Sequence, residues 1–220
     1  MMILSAYEPS SNPRDDIKDP LERIIPLLIK KLVGPDAYAW HSTMMLMFNH
    51  IDFLGHLYAG GSLRRKETEN AVKFIRNYLG QVDTRYGEVG GLLYFMVRHG
   101  LTHRSHPKRF RFQNGKVLGF VFSTTRERST HLMVTSELGE LRLKFSISLF
   151  YEDLLNAIEL YCQDIGQTTS VRKDFEKAWR ILGEPETEEH VNQHYKYIRP
   201  SDLDFVKKNL TLPIIPGFQK

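Results

Sequence analysis

Residues 92–122 read LLYFMVRHGLTHRSHPKRFRFQNGKVLGFVF, and inside this stretch the hydrophobic period changes from that of a helix to that of a strand. Leu92, Leu93, Phe95, Met96 and Val97 recur at helical spacing and run into Arg98-His99-Gly100. From Arg109 the pattern alternates: Arg109-Phe110-Arg111-Phe112-Gln113 faces Lys116 to Phe122 across Asn114-Gly115. Asn-Gly is the strongest short-range hairpin signal because both turn positions need positive φ. The stretch therefore marks the point where a helical protein takes in a β segment.

Towards the N-terminus the period stays helical. Leu21, Ile24, Ile25, Leu28, Ile29 and Leu32 predict a first helix from Asp15 to Gly34-Pro35. A second runs from about Pro35 to Tyr58 through Met44, Met45, Met47, Phe48, Ile51, Leu54 and Leu57. A third spans about Glu67 to Leu79, with Gly80 past its end. The fourth begins near Tyr86 to Gly90 and carries the apolar residues of the quoted stretch. Towards the C-terminus, Leu141, Leu143, Phe145, Ile147 and Leu149 alternate with polar residues and predict a strand, paired with His131 to Thr135 across Gly139. Leu154, Leu155, Ile158 and Tyr161, then Phe175, Ala178, Trp179 and Leu182, restore the helical period.

Segregated helices and strands imply an α+β fold, predominantly α: a helical bundle with a β-hairpin insertion at about residues 107–149. The expected organisation is a flexible leader at 1–14, the bundle with its insertion at 15–183, and a C-terminal tail at 184–220. That tail carries a linker at Gly183 to Thr187, a short helix near Asp202 to Asn209 and an extended end at Leu212 to Pro216.

Composition narrows the class. The chain has 220 residues, 41% hydrophobic and 25% charged, with a net charge of +4, which are values of a folded domain. One cysteine, Cys162, rules out a disulfide framework and a cysteine-clustered zinc site. No apolar run approaches the roughly 18 residues of a membrane span, and the start lacks a basic stretch followed by an apolar one. The expectation is a soluble cytoplasmic protein. The mild positive charge is compatible with a phosphate-bearing partner.

Chemistry concentrates in Arg98-His99-Gly100-Leu101-Thr102-His103. An imidazole, with a pKa near 6.5, serves as acid or base at neutral pH. A guanidinium offers a planar fork to phosphate oxygens. Together they suit attack of an RNA 2′-hydroxyl on its neighbouring phosphorus, with no cofactor. Five positions on a straight helix set Arg98 and His103 about 140° apart, so convergence within one chain needs the helix to end or bend at Gly100. His99 and His103, four apart, share a face. Two plainer readings stand beside this one: cations at a helix C-terminus meeting its dipole, and His99, His103 and His106 as metal ligands at i, i+4, i+7. His190 and His194 also have helical ligand spacing, but sit in a charged tail that favours surface histidines.

Supporting positions follow. Asp52, inside the apolar run Ile51-Asp52-Phe53-Leu54, needs a cationic partner, and Arg98 is the candidate; a solvent-facing Asp reads equally well. Lys108, Arg109 and Arg111, interleaved with Phe110 and Phe112, suit backbone phosphates and stacked bases, as does the basic run Arg64-Arg65-Lys66; a solvated strand face has the same pattern. The second helix is apolar around much of its circumference, the mark of a helix central in a core or shared with a second copy.

The helix ending in Arg-polar-Gly-Leu-x-His, preceded by helices and followed by another, resembles the HEPN superfamily (higher eukaryotes and prokaryotes nucleotide-binding) over roughly residues 35–165. The matching residues are Arg98, His99 and His103. The resemblance implies an up-down helical bundle, commonly a homodimer, in which the active members are metal-independent endoribonucleases. It further implies His103 as acid–base group, Arg98 on the scissile phosphate, His99 in support, RNA as partner, and a defence or toxin-like role with a protein partner such as an antitoxin. The alternative is a catalytically inactive HEPN-like module that binds nucleotide, RNA or protein.

Overall fold

A computed structural model describes residues 13–32, 39–61, 66–137 and 139–184, with isolated positions beyond. The leader up to residue 12, Gly34-Pro35, Arg64-Arg65, His190, His194, nearly all of the 202–209 segment and Leu212 to Pro216 lie outside the described residues. The chain divides into two compact units, 1–183 and 184–220, and the structure below is that of the first.

The first unit is mostly helical with one small sheet. Helix α1 is Pro13–Leu32 and α2 is Ala39–Tyr58, so Pro13 and Arg14 of the expected leader already belong to α1. Helix α3 starts as Glu67–Phe74, widens into a π turn at Ile75–Leu79 and ends with Gly80–Val82. It passes through Gly80 rather than stopping there. Asp83 then takes an extended conformation and its carboxylate accepts the Arg85 N–H at 3.1 Å, which starts the next helix. Helix α4 runs from Thr84–Leu93 through a second π turn, Tyr94–Arg98, into His99–Arg104. After the sheet come α5, Ile147–Gln167, and α6, Thr169–Gly183.

Four strands form the sheet: β1 Phe110–Arg111, β2 Val117–Ser123, β3 Val134–Glu137 and β4 Glu140–Ser146. Both expected hairpins are present, Phe110 opposite Leu118 across Asn114-Gly115, and Val134 opposite Leu143 across Gly139, the second with its first strand at Val134–Glu137 rather than His131 to Thr135. Gly115 and Gly139 sit at φ 82° and 80°, the left-handed region that glycine enters without strain. The order is β1-β2-β4-β3, and the central pair is parallel, with Phe120 beside Leu143. β3 lies on the far side of β4, so residues 124–133 carry the chain past the Ser146 end of β4, and β3 then makes the return run that parallel pairing of β2 with β4 requires.

The strand expected to reach Leu149 ends at Ser146 instead. Ser146 caps α5, its hydroxyl accepting the Leu149 N–H at 3.3 Å. The alternation misled because the first turn of α5 is buried all round: Ile147, Ser148, Leu149 and Phe150 are all inside.

Helix α2 is the centre of the core. Met44, Met47, Phe48, Ile51, Leu54 and Leu57 are fully buried, under α1, α3, α5 and α6, and the Phe48 ring lies 5.4 Å from that of Phe150. Its apolar circumference is thus largely covered within one chain. A smaller cluster of Met96, Leu118 and Leu143, joined by Leu92, Phe110, Phe120 and Leu141, fastens the sheet to α4. No helix among the described residues is long and apolar enough to cross a membrane.

Candidate functional site

Helix α4 does not bend at Gly100. It continues to Arg104 and closes at Ser105, whose φ of 56° is left-handed. Gly100 is there for close approach: a Cβ would lie 2.5 Å from the Lys108 nitrogen, 2.6 Å from the His106 carbonyl oxygen and 2.8 Å from Pro107 Cα. The returning chain is tied down where the Lys108 N–H donates to the Met96 carbonyl at 2.7 Å. This contact sets Lys108 back over the helix, with Nζ 4.4 Å from the Phe95 ring centre.

The irregularity lies one turn earlier, at the π turn. A π turn carries an extra residue, which swings positions four apart closer to one line. Tyr94 and Arg98 both reach Asp52 of α2: the tyrosine hydroxyl donates to Oδ1 at 2.6 Å and Arg98 Nε donates to Oδ2 at 2.7 Å. Asp52 therefore does pair with Arg98, and Tyr94 is a member that the sequence reading missed. The Arg98 and Asp52 side chains are 22% and 23% exposed, so the pair sits at the protein–water boundary. Burial, then the hydrogen bond to Asp52, holds the Tyr94 hydroxyl well above its ordinary range. Among the described residues nothing else bonds the guanidinium, which leaves its two Nη groups for an oxyanion.

His99 follows on the adjacent face. Its Nε2 lies 3.4 Å from the Thr68 hydroxyl, and its ring centre is 5.4 Å from Tyr94, 6.2 Å from Phe95 and 6.0 Å from His103. Partial burial lowers the His99 pKa, and Lys108, His103 and Arg98 push the same way against the opposing Asp52. The ring is thereby biased towards the neutral, proton-accepting form. His103 stands exposed one turn on. The helix thus unites His99 with His103 and Arg98 with Asp52, but one chain does not bring Arg98 and His103 together, since regular helix separates them by about 140°.

The basic residues divide. Lys108 belongs to the site through Phe95. Arg109 is ion-paired with Glu140, which also accepts Arg142 at 2.6 Å, so it is a member of a charged sheet face. Arg111 is exposed on edge strand β1. His106 is exposed, and among the described residues no group of three His, Cys, Asp or Glu is arranged to hold a metal ion.

A second cluster of the same residue types lies deeper. Asp153 of α5 is fully buried, with Arg128 Nη1 at 2.7 and 2.5 Å from its two oxygens. The Tyr86 hydroxyl donates to Asp153 at 2.8 Å, and His131 Nε2 lies 2.7 Å from that hydroxyl. His131 Nδ1 accepts the Ser146 N–H at 2.9 Å, so the neutral ring carries its proton on Nε2 and donates to Tyr86. Arg85 bonds the His131 carbonyl and pairs with Asp83. Burial, reinforced by Arg128 and Arg85, pushes His131 down to about 4. The available signal was Asp153 itself, an acid within the apolar stripe of Phe150, Leu154 and Ala157; its partners come from segments that no local pattern links.

The chain matches no protein-family model, and comparison with curated proteins and with solved structures gives no match either.

Proposed function

We propose that the chain is a metal-independent endoribonuclease of HEPN type that acts as a homodimer. The observation that carries the reading is the held guanidinium: Asp52, itself bonded by Tyr94, fixes Arg98 through Nε and leaves its outer nitrogens unbonded, next to a histidine biased to the neutral state. In this reading the Nη groups hold the non-bridging oxygens of the scissile phosphate and stabilise the charge that grows on them. A neutral imidazole takes the proton of the 2′-hydroxyl as its oxygen attacks phosphorus, and a protonated imidazole gives a proton to the departing 5′-oxygen. His103 is the principal acid–base group and His99 its support.

Because Arg98 and His103 diverge on one helix, Arg98 of one protomer works with the partner's His103 across a twofold axis. The test is cleavage of single-stranded RNA in EDTA. Arg98→Ala and His103→Ala are each expected to lose at least about 100-fold, and mixing the two inactive proteins to restore part of the activity through mixed dimers. Unchanged cleavage in both variants removes the assignment.

One observation favours the second reading, a catalytically inactive binding module: Asp52 neutralises Arg98, which weakens its pull on a phosphate. RNA binding with no cleavage selects that reading.

A further inference from the structure

Between Glu88 and Glu127 the chain carries no Asp or Glu but seven Lys and Arg, whereas the remainder holds 23 Lys and Arg against 26 Asp and Glu. Six of the seven, all but Arg126, belong to the second half of α4, the returning loop and the β1–β2 hairpin. The same segment exposes two phenylalanine rings, Phe95 at 42% and Phe112 at 37%. Two runs of contacts carry them, tied together where the Lys108 N–H bonds the carbonyl of Met96. His103 and His99 lead to Phe95, with Lys108 over its ring. Leu92 and Phe110 follow in the small core cluster, and Phe112 stands edge-on to Phe110 at 5.0 Å. As β1 is the edge strand, both Phe112 on one face and Arg111 on the other are reachable from the rim of the sheet.

Exposed rings set singly among cations, in a segment that contributes no acid of its own, match a polyanion whose charges are spaced by flat apolar groups. Bases stack on the rings while phosphates meet the cations. A base paired inside a duplex presents no face to a ring, so the occupant is single-stranded. A protein partner fits less well, because the two rings are separated by the largely covered Phe110 and form no continuous apolar patch.

We infer that these residues form a binding strip for single-stranded nucleic acid, in which Phe95 and Phe112 each stack a base and Lys108 and Arg111 meet the backbone. The strip extends the ribonuclease reading by leading a strand to Arg98 and His99, but its binding does not depend on cleavage.

The test uses the full chain in a His103→Ala background, with fluorescein-labelled 12-nucleotide RNA followed by anisotropy. Phe95→Leu and Phe112→Leu, which keep apolar bulk, are each expected to weaken binding about tenfold, and Phe95→Tyr to restore it. Arg111→Ala is expected to lower the salt dependence by about one phosphate contact. Inorganic polyphosphate, which has charge but no bases, is expected to bind the leucine variants as it binds the parent. The strip is overturned if both leucine variants hold the RNA as tightly as the parent, or if they lose polyphosphate equally. It is also overturned if Phe95→Leu changes the oligomeric mass while RNA affinity stays constant. The two readings fail separately: ring-dependent binding without cleavage removes the ribonuclease, and cleavage that needs Arg98 but neither ring removes the strip.

Discussion

Two sites in this protein are made of the same four residue types and differ in one respect. Around Asp153, a buried tyrosine and a buried histidine bond each other beside a wholly enclosed carboxylate, and Arg128 reaches that carboxylate from the surface, its own side chain 45% exposed. Around Asp52, a tyrosine and an arginine bond the carboxylate, the arginine keeps two outer nitrogens, and the histidine beside it meets the solvent boundary. Helix α4 supplies both tyrosines, Tyr86 and Tyr94. A closed network holds structure together, since each bond it contains is needed by another buried group. An open one keeps donors for something else. The closed set fastens residues 124–133, which carry the chain past the end of β4 to β3, onto α4 and α5.

Removing the enclosed acid gives the sharpest test of this contrast. Asp153→Ala takes the buried acceptor from the Tyr86 hydroxyl and the carboxylate from Arg128 and is expected to cost about 3–5 kcal/mol. At about 2–4 °C per kcal/mol for a chain of this size, thermal unfolding moves down by roughly 10 °C. Asp52→Ala is expected to cost only about 1 kcal/mol in the same melt, as a pair at the protein–water boundary does, while reducing RNA cleavage at least about tenfold. Equal melting losses in the two variants would break the contrast.

Gly100→Ala comes next. Its methyl group meets backbone atoms of residues 106–108, and overpacking of this kind costs about 1–3 kcal/mol. The loop is expected to move and lift Lys108 from Phe95, read as altered amide shifts confined to residues 95–110 by NMR.

The pH dependence separates the sites further. His131 titrates near 4 in the fold against 6.5 ordinarily, so the folded protein disfavours its proton. Between these values the unfolded chain binds more protons, and stability rises with pH. It is complete above pH 6.5 and is lost as the pH falls from there towards 4. His50, half-buried on α2 and also lowered to about 4 by desolvation, adds to the same slope. In urea melts across this window, His131→Gln is expected to reduce the slope by about one proton, and an unchanged slope would place the titration elsewhere. The smallest effect belongs to the open site. Lys108→Ala removes a cation that holds the His99 pKa down, so its NMR titration is expected to move upward.

Much of this was readable from local pattern. Period and turn chemistry located the helices, and Asn114-Gly115 located a hairpin. Arg98, His99 and His103 stood out because their chemistry is carried by residue type, and Asp52 because an acid in an apolar run demands a partner. The helix limits at Gly80 and Gly100 were not readable. A glycine next to a helix reads as a stop, yet at Gly100 it admits the backbone of another segment. The apolar surplus of α2 reads equally as core or interface until the covering helices are in place.

What the sequence determined by itself was therefore what depends on residues a turn or a hairpin apart: the predominantly helical α+β class, the two hairpins, and which side chains are candidates, by residue type, for acid–base and phosphate-binding chemistry. Tertiary structure alone decided the parallel join between the hairpins, the meeting of Tyr94 and Arg98 on Asp52, the loss of Arg109 to Glu140 and the enclosure of Asp153. Each of these joins groups from segments distant in the chain. Their pairing is set by which surfaces pack with the least exposed apolar area and the fewest unpaired polar groups, a condition that no short window of sequence contains.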